Sequence, residues 1–395
     1  KIDIQGSDAA EFLNRIYTNG WTNLLPGRCR YGFMLGEDGM VMDDGVTTCI
    51  ASNHYLMTTT TGGAAAVMGW MERWLQTEWP DLQVYLTSVT DQWSVMSVAG
   101  PQSRAVLHAA GCDVELDSES FPFMSMREGK IGGVSSRISR ISFSGELAFE
   151  ISVNATYGMT LWQTIMDAGR AYDITPYGTE AMHVLRAEKG YVIVGQDTDG
   201  SVTPNDLGMD WIVSKNKDFI GKRSLFRADT LRSNRKQLVG LLTDNSKTVL
   251  PEGAQLVNSP QQSRPVPMMG HVSSSYYSAS LGRSIALALV KGGRTRMGST
   301  IFAQLMDDQI VPAVIVDPVF YDPENQRSKS WLRRSHLGRL ENAVLCAQIA
   351  SAYSGGVLKA PPLGEQVQCC RSRKSVRFLR PSPSRWRCPF WRGSW

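Results

Sequence analysis

Residues 31–45, Tyr-Gly-Phe-Met-Leu-Gly-Glu-Asp-Gly-Met-Val-Met-Asp-Asp-Gly, can pair with themselves, and this limits what the surrounding chain can become. Two alternating runs flank Gly36-Glu37-Asp38-Gly39, whose residue types suit a tight reversal between antiparallel strands. Side chains alternate across a strand, so Met40, Met42, Asp44, Val46 and Ile50 share one face while Val41, Asp43 and Gly45 share the other. Asp44 therefore falls on a mostly apolar face. A turn of four residues would pair Leu35 with Met40 and Phe33 with Met42, which sets Tyr31 opposite Asp44. A phenol beside a half-desolvated carboxylate can handle protons, because burial raises the acid's pKa and a hydroxyl donor opposes the rise. The plainer reading is that neighbouring Asp residues at a strand end cap or solvate an edge. It is preferred for Asp43, and for Asp44 the two readings stay level.

Hairpins and helices alternate through the first half of the chain. Ser7-Asp-Ala-Ala-Glu11 precedes a Phe12, Leu13, Ile16 stripe, and Pro101 opens a short helix carrying Val106 and Leu107. Ser135–Val153 reads as a hairpin around Ser144-Gly145. A helix from about 155 to 169 turns Met159, Leu161, Trp162, Ile165 and Met166 to the core, and another, Thr179–Lys189, stops at Gly190. Hairpins rather than repeated βαβ units dominate, so the fold class is α+β. A polar, basic connection over 214–237 then leads to short strand signals at 237–242, 255–257, 270–273, 285–290, 300–305 and 310–316. That spacing suggests a small all-β barrel or sandwich.

The net charge of +4 averages two unlike segments. Residues 325–395 carry 14 Lys/Arg against Glu341 and Glu365, whereas residues 1–324 carry 27 basic and 35 acidic side chains. The tail lacks apolar periodicity and is expected to be disordered or translated out of frame rather than to bind nucleic acid. No run of 18 apolar residues occurs, so no membrane span is expected. The absence of a CxxC pair or a Cys/His ligand spacing argues against zinc, and the body reads as a reduced, cytoplasmic protein without a secretory signal. A first residue of Lys1 suggests a piece of a longer chain.

Common catalytic motifs are missing. Thr60-Thr61-Gly62-Gly63 lacks the pattern of a dinucleotide loop, Gly221-Lys222-Arg223-Ser224 lacks the first glycine of a phosphate loop, and no GxSxG occurs. What remains are carboxylates and aromatics on sheets: Tyr31, Asp44, Phe143 and Glu150. On the strand 147–153, Leu147, Phe149, Ile151 and Val153 form the apolar set, so Glu150 points the other way. It is a solvated side chain if that face is open. If the face is covered, it becomes a buried acceptor for two N–H donors of a planar heterocycle.

Several stretches carry a family likeness: Phe12-Leu-Asn-Arg-Ile-Tyr-Thr-Asn19, Asp38-Gly-Met-Val-Met-Asp-Asp44, Ile141-Ser-Phe-Ser-Gly-Glu-Leu-Ala-Phe-Glu150, Leu185-Arg-Ala-Glu-Lys-Gly-Tyr191 and Met269-Gly-His-Val-Ser-Ser-Ser-Tyr-Tyr277. Over about residues 1–324 the chain resembles the folate-binding half of heterotetrameric sarcosine oxidase alpha subunits, within the glycine-cleavage T protein (aminomethyltransferase) family. The resemblance implies an aminomethyltransferase-like folate-binding fold over 1–228, lacking its lead-in strand, a C-terminal all-β barrel over 236–323, and an unrelated tail over 324–395. It also implies tetrahydrofolate in this chain, with flavin (FAD or FMN) and NAD elsewhere in a complex with beta, gamma and delta subunits.

By the same likeness Asp44 is the catalytic carboxylate near the folate's reacting nitrogens, Glu150 accepts hydrogen bonds from the pterin, and Tyr31 and Phe143 line the cavity. Met182 stands where the T protein carries an Arg, so contact with the folate tail falls to Arg186 or Lys189. The implied activity is capture of the one-carbon unit of sarcosine as 5,10-methylenetetrahydrofolate. An aminomethyltransferase acting on a lipoyl-bound group and a non-catalytic folate-binding module are the alternatives, and Lys189-Gly190-Tyr191 lacks the Cys that marks the second.

Overall fold

Antiparallel pairing of the first hairpin builds the first sheet. The computed structural model describes residues 1–261, 265–306 and 309–329, and the backbone of 344–348. Strands β1 (Ile2–Gln5), β2 (Cys29–Leu35), β3 (Val41–Ala51), β4 (His54–Met57) and β5 (Tyr85–Ser88) are ordered β2-β3-β4-β1-β5. Helices α1 (Ala9–Ile16) and α2 (Ala64–Thr77) cover it. Phe12, Leu13 and Ile16 form one apolar stripe of α1 and bury against Ile2, Ile4 and Met57 of the sheet and Val67 and Met71 of α2.

The hairpin's register differs from the expected one. Leu35 pairs with Val41, Met34 with Asp43, Phe33 with Asp44 and Tyr31 with Val46, so Tyr31 is not opposite Asp44. Met42 is the extra residue of a bulge between the Met34 and Leu35 pairs. Val41 gives its N–H to Val202 O at 2.9 Å, a partner outside the hairpin that periodicity could not announce.

The second sheet is centred on β6 (Trp93–Ala99), β7 (Ser125–Ile131), β8 (Val134–Arg140) and β9 (Ala148–Asn154), in the order β6-β9-β8-β7. The two-residue strand β10 (Thr175–Pro176) and Val344–Gln348 extend it beyond β6. Helices α3 (Ser103–Ala109) and α4 (Gly158–Gly169) cover one face, where Val106, Leu107, Leu161 and Ile165 meet Phe149, Ile151 and Val153. Met159, expected in that core, is 63% exposed because α4 starts only at Gly158 and its inward stripe is Leu161 and Ile165. Helix α5 (Thr179–Glu188) follows.

Strands β11 (Lys236–Thr243), β12 (Gln255–Val257), β13 (Gly270–Ser278), β14 (Arg283–Lys291), β15 (Thr300–Gln304) and β16 (Ile310–Val316) close into a barrel in the order β11-β14-β13-β12-β15-β16. Closure leaves no strand edge unpaired, and Leu256, Val272, Ala288, Ile301 and Ile315 fill the interior. The fold is α+β with a C-terminal six-stranded barrel. The expectation of a disordered or frame-shifted tail falls, apart from 324–329 and 344–348, outside the described residues.

Candidate functional site

The bulge in β3 puts two consecutive carboxylates to different uses. Asp43 is only 1% exposed and accepts from Thr60 N at 3.1 Å and Asp44 N at 2.7 Å. It therefore secures the turn that leads into α2: of the capping or solvated edge role expected from spacing, it caps backbone N–H groups but is buried, not solvated. Burial pushes its pKa up, opposed by the Thr60 and Asp44 donors. Asp44 is half-buried, with Oδ2 accepting from the Tyr31 phenol at 2.6 Å and Oδ1 meeting only the Thr60 hydroxyl at 3.5 Å. Burial raises its pKa to about 6, the Tyr31 hydrogen bond lowers it, and the Asp43 charge raises it again. Burial and the Asp44 charge push the Tyr31 phenol well above its ordinary value, so it stays a donor at neutral pH.

Glu150 is presented by β9, where Phe149, Ile151 and Val153 point into the core on the opposite face. Its cross-strand neighbours are Ser97 on β6 and Ser139 on β8. Among the described residues no side chain or backbone group donates a hydrogen bond to its carboxyl. Burial raises its pKa to about 7, opposed by the charge of Lys1. Glu150 lines a narrow cleft with Val95, Ser97, Phe143, Ser144, Tyr177 and Met182, open to solvent and with a cavity volume of about 40 Å³. Phe143 also stacks on Tyr191, with ring centroids 6.2 Å apart.

Tyr31 and Asp44 are not among the residues lining that cleft. Their hairpin reaches the second sheet through Val46 and Ile50, which pack with Cys29, Met124, Met126 and Ile141. Tyr31 itself meets Phe33 edge-on, with ring centroids 5.6 Å apart, and packs against a cluster that includes Ala187 and Val192. Each carboxyl offers its own chemistry: Glu150 has acceptors without a donor among the described residues, and the Tyr31–Asp44 pair holds a carboxyl able to exchange a proton.

Residues 1–217 match the GCVT N-terminal domain family, and residues 236–322 match the glycine cleavage T-protein C-terminal barrel domain. The chain belongs to the glycine-cleavage T-protein family. Within this family it is 52% identical over 330 residues to the sarcosine oxidase subunit alpha of Corynebacterium sp. (strain P-1), covering 83% of this chain and 34% of that one. It is 41% identical over 331 residues to the subunit of the same name from Rhizobium meliloti (strain 1021), covering 83% and 33%. The chain thus spans about a third of the length of these curated relatives. The crystal structure of the glycine cleavage system aminomethyltransferase T from Bartonella henselae shares the fold, with a TM-score of 0.70 at 23% identity over 82% of this chain and 84% of that one.

In this T-protein fold the two cations expected at a ligand's tail are committed elsewhere. Arg186 has no exposed surface and bonds to Asp197 Oδ2 at 2.5 Å, to Ser274 Oγ at 2.7 Å and to Tyr191 O at 3.1 Å, tying α5 to the barrel. Lys189, 2% exposed, bonds to Asp322 O at 2.5 Å and Asp322 Oδ2 at 3.3 Å. Ser274 and Asp322 lie 88 and 133 residues from their cations in sequence, beyond the reach of any spacing rule. The T-protein cleft also contains side chains that the sequence reading did not select. Val95 and Ser97 alternate with the buried Met96 and Val98 on β6, so a period-two reading of that strand would have found them. Ser144 and Tyr177 sit in connections and carry no such signal. No helix of the described residues is long and apolar enough to cross a membrane.

Proposed function

We propose that this chain is the folate-binding portion of a heterotetrameric sarcosine oxidase alpha subunit. It captures the one-carbon unit from oxidative demethylation of sarcosine as 5,10-methylenetetrahydrofolate, with glycine and hydrogen peroxide as co-products of the full oxidoreductase complex. The relatives at 52% and 41% identity support the choice of branch within the family. The observation that carries the reading is Glu150, a desolvated carboxylate with no donor of its own among the described residues, opening into a cleft beside the Phe143 ring.

The chemistry of those residues, a carboxylate acceptor beside an aromatic ring, suits a reduced pterin. A planar heterocycle against Phe143 can give two N–H bonds to one carboxylate, and the pairing recovers what desolvation of Glu150 costs. Bound tetrahydrofolate supplies the nitrogens that accept the one-carbon unit. Asp44 exchanges a proton at Oδ1, the oxygen held only by the long Thr60 contact, while Tyr31 fixes Oδ2 and so the orientation of the carboxyl. A pKa of about 6 suits that task near neutral pH. Flavin and NAD belong to other parts of the complex, and the beta, gamma and delta subunits are its partners.

Calorimetric titration of the full chain with tetrahydrofolate tests the reading. Saturable binding that weakens at least tenfold in Glu150→Gln is the expected result, since the amide turns one of two acceptors into a donor. A folded chain that shows no heat of binding overturns it.

A further inference from the structure

Three segments meet beneath the cleft. They are the connection 141–147 between β8 and β9, the end of α5, and residues 317–322, which leave the barrel after β16. Glu146 is 3% exposed, and its Oε1 accepts from the Tyr321 phenol at 3.2 Å. Lys189 at the end of α5 holds the backbone and side chain of Asp322. Phe320 N and Tyr321 N both donate to Glu188 O at 2.9 Å. There is no room for a side chain at either glycine: a Cβ on Gly145 would overlap the Lys189 side-chain stem, and one on Gly190 would stand 2.7 Å from the backbone oxygen of Pro318. Both glycines are in the left-handed region, at φ +79° and +66°, so the approach is built into the chain's conformation.

The same connection carries Phe143 and Ser144 into the cleft. Phe143 is braced from the other side by Tyr191, which follows directly on Gly190. We propose that Tyr321 and Asp322 are positioning residues for the cleft, holding through Glu146 and Lys189 the connection that presents Phe143 and Ser144. The segment that leaves the barrel after β16 thereby shapes a site formed by the other domain. This inference rests on the proposed ligand only for its binding readout.

The surroundings support a clasp that is polar and closely balanced. Glu146 faces Arg327, Tyr321, Asp322 and Lys189, and Glu188 faces Ser278, Ser280 and Glu146. Ser278 Oγ donates to Glu188 Oε1 at 2.5 Å. Desolvation raises the pKa of both carboxyl groups, so each depends on its few donors, and the loss of one is felt locally.

The test uses the full chain and the variants Tyr321→Phe, Glu146→Ala and Glu146→Gln. Hydrogen–deuterium exchange reads the clasp without any ligand. Tyr321→Phe and Glu146→Ala are expected to speed exchange over 141–147 while amides of β13 and β14 keep the wild-type rate, and Glu146→Gln, which keeps an acceptor for Tyr321, restores protection. Titration with tetrahydrofolate should then show about tenfold weaker binding in the first two variants and near wild-type binding in the third, the scale of one lost bond to a charged group. Wild-type exchange in Tyr321→Phe, or acceleration spread equally through the barrel, overturns the proposal. If the wild type itself binds no tetrahydrofolate, the functional reading fails and the exchange data alone decide the clasp.

Discussion

Tyr31 donates its phenol to Asp44 at 2.6 Å although Val46, not Asp44, is its partner across the hairpin. The contact is diagonal, and a tyrosine side chain is long enough to reach that neighbour. Counting along the hairpin sets these two residues directly opposite; the bulge at Met42 makes the contact diagonal and keeps both on one face.

Tyr31→Phe should raise the pKa of Asp44 above its present value of about 6, because burial and the Asp43 charge then act without the opposing phenol. A rise of about one unit corresponds to one lost hydrogen bond to a charged group. Carboxyl-carbon NMR titration of labelled Asp reads it directly, and an unmoved midpoint would contradict the assignment.

The stability of the chain should fall as pH rises through the range of its buried acids. Asp44 is raised from 3.8 to about 6, and Glu150 and Glu188 from 4.5 to about 7. The folded chain therefore holds more protons than the unfolded chain between these values. Their stabilising contribution is complete below about pH 4 and is lost as pH passes about 6 to 7. Glu150→Gln removes one such group and should gain about 2 kcal/mol relative to wild type between pH 4 and 8, less than the full shift allows because the carboxyl opens to cleft solvent. Urea unfolding at the two pH values measures this, and a pH-independent difference would exclude it.

Arg186→Ala should cost about 3–5 kcal/mol, since it leaves Asp197 as a buried charge without its cation. Chemical denaturation gives the figure. A loss of ligand affinity with unchanged stability would instead mean that Arg186 serves the ligand.

Gly45→Ala should destabilise the first sheet by about 1–3 kcal/mol, because the added Cβ would run into the Thr58 carbonyl oxygen, a backbone atom that cannot swing aside. Gly45 directly follows Asp44, so the same change should broaden the Asp44 carboxyl resonance. Wild-type stability would show that β3 and β4 can separate at no cost.

The sequence made much of this architecture legible. The α1 stripe, the end of α5 at Gly190, the direction of Glu150 and the strands that close the barrel all follow from residue periodicity and from glycines at stops. Arg186 and Lys189 were less legible, because a long cation looks available for a ligand until its partners are known, and Ser274 and Asp322 come from distant segments.

Which face a side chain takes is settled within a few residues of backbone, so the chain determined by itself that Glu150 points away from the Phe149, Ile151 and Val153 face, and left open whether Glu150 and Asp44 would be covered. Which neighbours they meet there was decided only by tertiary structure. Register, the bulge at Met42, the burial of Asp43 against Thr60 and the clasp of Tyr321 on Glu146 all depend on backbone groups brought from far along the chain. Desolvation and hydrogen bonding act over a few ångströms of space, and sequence distance carries almost no information about that.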